Sequence, residues 1–385
     1  MIRVLRVLTR LAAGGPPVHA LTLNRALAAR GYEVLLAIGE CEPGERPLNH
    51  LLRPDDPVVW IPGLARSVHP RRDAQALLQL IRVIREFRPA IVHTHTAKAG
   101  LLGRLAARLV GDAVVVHTFH GHVLHGYFPA WQSRLVQTAE RALARLTDAL
   151  VTLSPTLAHE LVAHYRLAPP ERCHAIGLGM DLERMERLPL PEYPGGAPVI
   201  AWLGRMVAVK NLELLAATAL AIRERLPGAR FLFAGDGPER PVLMRWAERH
   251  PALVEVLPWM EDPATIIGRA HLLLLTSRNE GTPVALVEGL AAGRPFVATA
   301  VGGVPDLAGQ GRYGLVGPAD PVALAERVVT LIGSPGTWAV RCAEARSFAG
   351  ESFTVDAMVT RIESLYQSLL SPANRWRHVA NAALR

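Results

Sequence analysis

The chain has 385 residues, half of them hydrophobic and 20% charged, with a formal net charge of +8. That length exceeds one ordinary hydrophobic core and points to two domains, and the composition excludes a disordered chain. No window offers the roughly 18 uncharged apolar residues of a spanning helix, so any membrane contact is expected to be peripheral.

The opening stretch "MIRVLRVLTRLAAGG" carries Arg3, Arg6 and Arg10, which interrupt the apolar run before it could serve as a signal peptide; it reads as a strand. A helix over 18–30 and the strand "YEVLLAIG" complete a βαβ unit. The alternation continues with a strand near "VVWIPG", a helix over 73–87, "AIVHTH", a helix over 99–110, "AVVVHTF", a helix over 132–146 and "ALVTLS". Strands alternating with helices imply a parallel sheet covered on both faces. The pattern lapses into a Pro/Gly-rich linker at 178–197, then restarts with "VIAWLG", a helix over 212–225, "RFLFAG", a helix over 239–249, "LVEVLP", a short helix at 263–269, "HLLLLTS", a helix over 283–292 and "PFVATA". The fold class is therefore α/β: two Rossmann-like, doubly wound domains, residues 1–177 and 198–370, facing a cleft, with a basic tail helix over 371–385.

Cys41, Cys173 and Cys342 are odd in number and far apart, which argues against a disulfide framework and for the cytoplasm. The positive charge is uneven: residues 1–190 hold 23 Lys+Arg against 16 Asp+Glu, and the remainder 19 against 18. A basic half suits nucleic acid, an anionic membrane, a phosphorylated substrate, or nothing but solvent. Nucleic acid is disfavoured, because aromatics make up 5% and none interleave with a basic stripe. Arg82, Arg85 and Arg88 share a predicted helix face that could rest on an anionic membrane from the cytoplasmic side. Only Lys98 and Lys210 are lysine among 42 basic residues, and both fall in strand-to-helix loops. A lysine retained in an arginine-rich chain is a candidate phosphate ligand.

Two stretches carry the chemistry. In "TSRNEGTPVALVEGLAAGRPFVATAVGGVPD" a buried strand ends at Ser277, Thr282 is the expected N-cap and Pro283 the first helical residue. Such a start leaves N–H groups free for phosphate or sugar oxygens. Glu280 lies before the helix and Glu288 inside it; one carboxylate could hold the diol of a sugar and the other that of a ribose, although a solvated helix face shows the same spacing. In "VIAWLGRMVAVKNLELLAATAL" Arg205 and Lys210 converge on a helix start, an arrangement suited to the growing charge of a diphosphate leaving group. No Asp-x-Asp occurs, so the paired carboxylates that hold a Mg²⁺- or Mn²⁺-bound diphosphate are missing; no metal site and no cofactor are expected. His93, His95, His117, His120, His122 and His125 cluster at strand ends without the cysteines and carboxylates that usually complete a metal site. His93 and His95 alternate on one strand and point to the same face.

On "GRMVAVKN", "AGDGPE" and "EGTPVALVEGLAAGRPFVAT", together with "GGPPVHALTLNRALAARGYEV", "VHTHTAKAGLLGRLAARL" and "HTFHGHVLHGYF", the chain resembles glycosyltransferase family 4 over nearly its whole length. The resemblance implies a GT-B fold and a retaining, metal-independent transfer from a nucleoside-diphosphate sugar, a UDP-sugar, to a carbohydrate or lipid-linked acceptor in cell-surface polysaccharide or glycolipid synthesis. It implies that Glu280 touches the donor sugar and Glu288 the ribose. Arg205 and Lys210 would bind the diphosphate, Gly14 and Gly15 would lie near the phosphates, His120 beside the sugar, and the Asp236 loop along the nucleoside pocket. Where many members have Phe-Gly after the first Glu motif residue, this chain has Thr282-Pro283; proline lacks an N–H, leaving Gly281, Thr282 and Val284 as the backbone contacts. Rival readings are a nucleotide-sugar epimerase of the same fold and a non-catalytic sugar-nucleotide sensor.

Overall fold

The computed structural model describes all residues except 13, 112, 122–128 and 372–385. The expected tail helix therefore lies outside the described residues, as do His122, His125 and most of the "HGHVLHGYF" stretch. The chain divides into two compact units. One comprises Met1–His120, Ala130–Met180 and the segment from Val355; the other is chiefly Asp181–Thr354.

The first unit is built on seven parallel strands: β1 (Arg3–Arg10), β2 (Glu33–Gly39), β3 (Val58–Trp60), β4 (Ile91–His95), β5 (Val114–Phe119), β6 (Ala149–Thr152) and β7 (Cys173–Ala175), in the order β3-β2-β1-β4-β5-β6-β7. Alternate residues of β1 feed two cores. Leu5 and Val7 pack with Ala76, Leu80 and Ile84 of the helix Pro70–Phe87 and with Leu102 and Ala106 of the helix Ala97–Val110. Val4 packs on the opposite face with Leu23 and Leu27 of the helix Gly15–Ala29 and with Met358, Ile362 and Tyr366 of the helix Val355–Leu370. Covering both faces explains why these strands read as continuous apolar runs.

The second unit has six parallel strands: β8 (Val199–Arg205), β9 (Arg230–Asp236), β10 (Val254–Leu257), β11 (Leu272–Leu275), β12 (Phe296–Thr299) and β13 (Gly314–Gly317), in the order β10-β9-β8-β11-β12-β13. Both orders reverse direction beside the first strand of their sheet, the doubly wound arrangement expected from the alternation.

Two expectations need correction and a third is refined. The second domain does not run to residue 370: Val355–Leu370 packs into the first unit, because its apolar stripe completes that unit's core. The crossing between the units falls at Met180–Asp181, inside the linker expected at 178–197, and the later part of that stretch is packed. Arg294 holds the carbonyl of Pro189, Trp338 that of Pro191 and Arg346 that of Leu188, tying the stretch to the second unit. Arg88 is not on the helix face with Arg82 and Arg85; the helix ends at Phe87 and Arg88 turns into the left-handed region at φ 47°.

Candidate functional site

In the second unit, β8 and β11 are neighbours whose outgoing connections diverge, the place where doubly wound sheets open toward ligands. After β8 the chain makes one turn, Ala208–Lys210, and enters the helix Leu212–Arg225 through Asn211 at φ 53°. After β11 it runs through Thr276 and Ser277 to the helix Val284–Ala291. The two connections are stitched together: Arg278 N–H donates to the Val209 carbonyl at 2.8 Å, and the Thr276 hydroxyl reaches the carbonyls of Lys210 and Asn211 at 3.2 and 3.3 Å.

That stitching brings together two residues 70 apart in sequence. Lys210 Nζ lies 2.5 Å from Glu280 Oε1, and the Ser277 hydroxyl donates to the same oxygen at 2.5 Å. Both ion-pair members are largely shielded, with side chains 18% and 11% exposed, yet neither is sealed from ligand. Arg205 ends β8 exposed, without a side-chain partner among the described residues. Beside it in register, Asp236 ends β9 and folds its carboxylate back onto the N–H of Gly237 at 2.8 Å, which is the turn expected there.

Glu288 is half-buried on the helix Val284–Ala291, and burial, with the charge of Asp262 adding to it, pushes its carboxyl up to about 7. The cap of that helix differs from expectation. Pro283, not Thr282, is the N-cap, and its carbonyl accepts the first helical N–H groups, from Leu286 at 3.0 Å and Val287 at 3.3 Å. Proline keeps φ near −69° with an extended ψ of 114°, so the helix starts one residue later, at Val284, and Thr282 is buried before it. Gly281 is held from behind, its carbonyl accepting the N–H of Gly303 at 3.0 Å. Gly302, at φ 50°, lies under Glu280; a Cβ there would fall 1.8 Å from the Glu280 carbonyl oxygen. The Gly302-Gly303 pair thus shapes the Glu280 loop, a role sequence reasoning missed although "VGG" directly after a strand was the available signal.

In the first unit the corresponding switch lies between β1 and β4. Gly14, at φ 147°, turns the chain from β1 into the helix that begins at Gly15, as expected of a Gly-rich turn. Facing that helix is a buried polar cluster. The Arg6 guanidinium donates through Nε to Asn24 Oδ1 at 2.6 Å and meets His93 Nδ1 at 3.1 Å and His95 Nε2 at 2.8 Å. His93 and His95 stack with ring centroids 4.5 Å apart, on one face of β4 as their alternation requires. His95 Nδ1 lies 2.9 Å from His120 Nε2, and the His19 ring stands edge-on to His120 at 5.0 Å. Burial above all drives the ring pKa of His19, His93, His95 and His117 well below the usual value and that of His120 to about 3, so the imidazoles are neutral.

His19, His95 and His120 each bring a nitrogen within 4.8 Å of the others, a metal-like spacing that sequence reasoning missed because His19 comes from a different element. The guanidinium of Arg6 on His95 opposes a cation there. His117 is engaged elsewhere, with Thr94 at 2.8 Å. Lys98 is not a free phosphate ligand: it is paired with Asp73 at 2.6 Å and bonded to the Ser67 carbonyl.

Comparison with known proteins places the chain in a family. Residues 13–184 match the model for Glycosyltransferase Family 4 and residues 197–334 that for Glycosyl transferases group 1. The 2-deoxystreptamine N-acetyl-D-glucosaminyltransferase of Streptomyces fradiae is 30% identical over 82% of this chain and 82% of its own length. The UDP-Gal:alpha-D-GlcNAc-diphosphoundecaprenol alpha-1,3-galactosyltransferase of Escherichia coli is 28% identical over 67% of this chain and 70% of its own. Among solved structures, Anabaena Alr3699/HepE in complex with UDP-glucose aligns with a TM-score of 0.75 at 18% identity, covering 96% of this chain and all of that one. The protein is a glycosyltransferase of GT-B fold and belongs to the family that joins a Glycosyltransferase Family 4 segment to a Glycosyl transferases group 1 segment.

Proposed function

We propose that this glycosyltransferase transfers a sugar from a UDP-sugar to a hydroxyl acceptor with retention of configuration and without a metal ion. The observation that carries the reading is Lys210, held by Glu280 where β8 and β11 diverge, with Arg205 exposed at the end of β8. Two cations beside helix starts supply the positive charge that a metal would otherwise bring to the diphosphate. Glu280 holds hydroxyls of the donor sugar, Glu288 those of the ribose, and His120 donates to the sugar. With no side chain assigned as nucleophile, the acceptor oxygen attacks C1 from the face the diphosphate leaves, and the departing phosphate oxygen takes the acceptor proton. The protein then contributes position and field. The UDP-Gal named for the Escherichia coli relative and the UDP-glucose bound in the Anabaena structure support the donor class.

Thermal shift with UDP, GDP and ADP in EDTA tests the donor, since a ligand that binds only the folded state raises Tm by mass action. UDP is expected to stabilise most, and the proton NMR spectrum of the product to show the donor's anomeric configuration. An inverted product, or activity lost to EDTA and rescued by Mn²⁺, overturns the reading.

The acceptor is lipid-linked and met at an anionic membrane surface. Among the described residues no helix is long and apolar enough to cross a membrane, but one helical layer of the first unit is suited to lie on one. The helices Pro70–Phe87 and Ala97–Val110 share a core, and Arg104 joins the latter to Glu140 of the helix Ala130–Arg145 at 2.9 Å. Leu78, Leu109, Trp131 and Leu135 are each more than 60% exposed on this layer, with Arg71, Arg85, Arg134 and Arg145 exposed around them. Apolar side chains rimmed by arginine fit the boundary between acyl chains and anionic headgroups. Sedimentation with vesicles is expected to require anionic lipid, to weaken with salt, and to drop several-fold in Trp131→Ser/Leu135→Ser; equal sedimentation with neutral vesicles, or none with either, refutes it.

A further inference from the structure

Arginine is a donor only and stays protonated in proteins, so every ring nitrogen it touches must be an acceptor. In the first unit that rule propagates. The Arg6 NH1 nitrogen lies 2.8 Å from His95 Nε2, which makes Nε2 the bare nitrogen of a neutral imidazole and puts the proton on Nδ1. His95 Nδ1 is 2.9 Å from His120 Nε2, so His95 donates and His120 Nε2 accepts. His120 is neutral as well, which leaves its own proton on Nδ1, and that nitrogen has no partner among the described residues. The second hydrogen of NH1 faces His93 Nδ1 at 3.1 Å, while His93 Nε2 donates to the Thr118 hydroxyl at 2.6 Å. Asn24 at Nε fixes the roll of the guanidinium, and register pairs Arg6 with His93 and Leu8 with His95, so the geometry is set by the sheet.

We infer that Arg6 is a positioning residue that acts through His95 to hold His120 in the tautomer whose Nδ1–H is presented to the bound ligand. The inference rests on the proposed contact between His120 and the donor sugar for its catalytic meaning, but its tautomer content stands without it. A ligand acceptor placed at His120 Nδ1 meets a hydrogen already aimed at it, with no tautomer exchange needed on binding. Arg6 is fully buried and touches no substrate; replacing it changes which nitrogen of His120 bears the proton.

Histidine ¹⁵N spectra of the resting enzyme test this directly. In the wild type, His95 and His120 are expected to be neutral and protonated on Nδ1; a His120 protonated on Nε2 overturns the inference without any variant. In Arg6→Met both rings are expected to redistribute toward Nε2–H, with kcat falling roughly 10-fold and the donor KM moving less than about 3-fold. An unchanged His120 spectrum in that variant also overturns it. Arg6→Lys, which keeps a donor that does not accept, is expected to restore the tautomer and most of kcat. Stoichiometric zinc in the purified protein would occupy these lone pairs and would refute the chain of donors. If the spectra are as expected but His120→Ala retains kcat and donor KM, the sugar contact of His120 falls while the tautomer control by Arg6 stands.

Discussion

Replacing Lys210 by alanine is expected to lower kcat by roughly 10²-fold or more, the scale on which one preorganised donor to developing charge acts. Two losses combine. The diphosphate loses a cation as the sugar–oxygen bond breaks, and Glu280 loses the ammonium at 2.5 Å, keeping, among the described residues, the Ser277 hydroxyl on a carboxylate 11% exposed. Arginine is not an equivalent at this position, because its planar fork is wider than the compact ammonium shielded here. Glu280→Ala is expected to slow transfer more than it weakens donor binding. Because the two residues act as one unit, the double variant should be impaired much less than the product of the single losses. Steady-state kinetics of the three variants decides it: a Lys210→Ala enzyme within a few-fold of wild type, or strictly multiplicative losses, would mean the pair is a surface ion pair.

Glu288→Gln is expected to do two opposite things, raising the stability of the ligand-free protein at pH 8 and weakening the donor. The carboxyl sits at about 7 in the folded protein against an ordinary value of 4.5. A folded pKa above the unfolded one means the native state binds more protons between those values, so this carboxyl's contribution to stability is fully present below about 4.5 and is lost as pH climbs to about 7. At one pKa unit per 1.36 kcal/mol the penalty at pH 8 is at most about 3 kcal/mol. Glutamine carries no such penalty. The variant should therefore melt higher than wild type at pH 8, with the difference shrinking toward pH 5. Ribose hydroxyls that donate to the carboxylate favour its ionised form, so donor binding near pH 7 should release a proton, and the variant should bind UDP about 10- to 100-fold more weakly without that release. Calorimetry in buffers of different ionisation enthalpy reads both effects. Equal proton release in the two proteins, or identical Tm profiles against pH, removes Glu288 from the ribose.

What the sequence made legible follows what local pattern can encode. Alternation of strand and helix gave both sheets, and the helix 212–225 was placed to the residue. Scarcity of lysine singled out Lys98 and Lys210 alike; Lys98 lies in the first turn of the helix Ala97–Val110 and is taken up by Asp73, whereas Lys210 lies in the turn after β8 and meets Glu280. The Lys210–Glu280 pair could not be read, because it depends on β8 lying next to β11, a neighbour relation that periodicity does not carry. The same holds for Arg6, an apparent interruption of an apolar strand whose partners sit on β4 and on two helices. β7 and β13, three and four residues long, were too short to show a period.

The return of the helix Val355–Leu370 to the first unit sets an order of events during synthesis. Met358, Val359, Ile362, Leu365 and Tyr366 supply one wall of that unit's core, and Arg30 is bonded to Glu363 at 2.9 Å and to Asp356. Tyr366 also places its hydroxyl 2.5 Å from His93 Nδ1. These residues leave the ribosome only after the whole of Asp181–Thr354 has emerged. The second unit, whose bulk Asp181–Thr354 is one continuous stretch, is able to close its core while translation proceeds, whereas the first must wait with an apolar flank uncovered although most of it was made earlier. Until that helix docks, His93 on β4 lacks its Tyr366 partner and the buried histidine cluster stays open on that side.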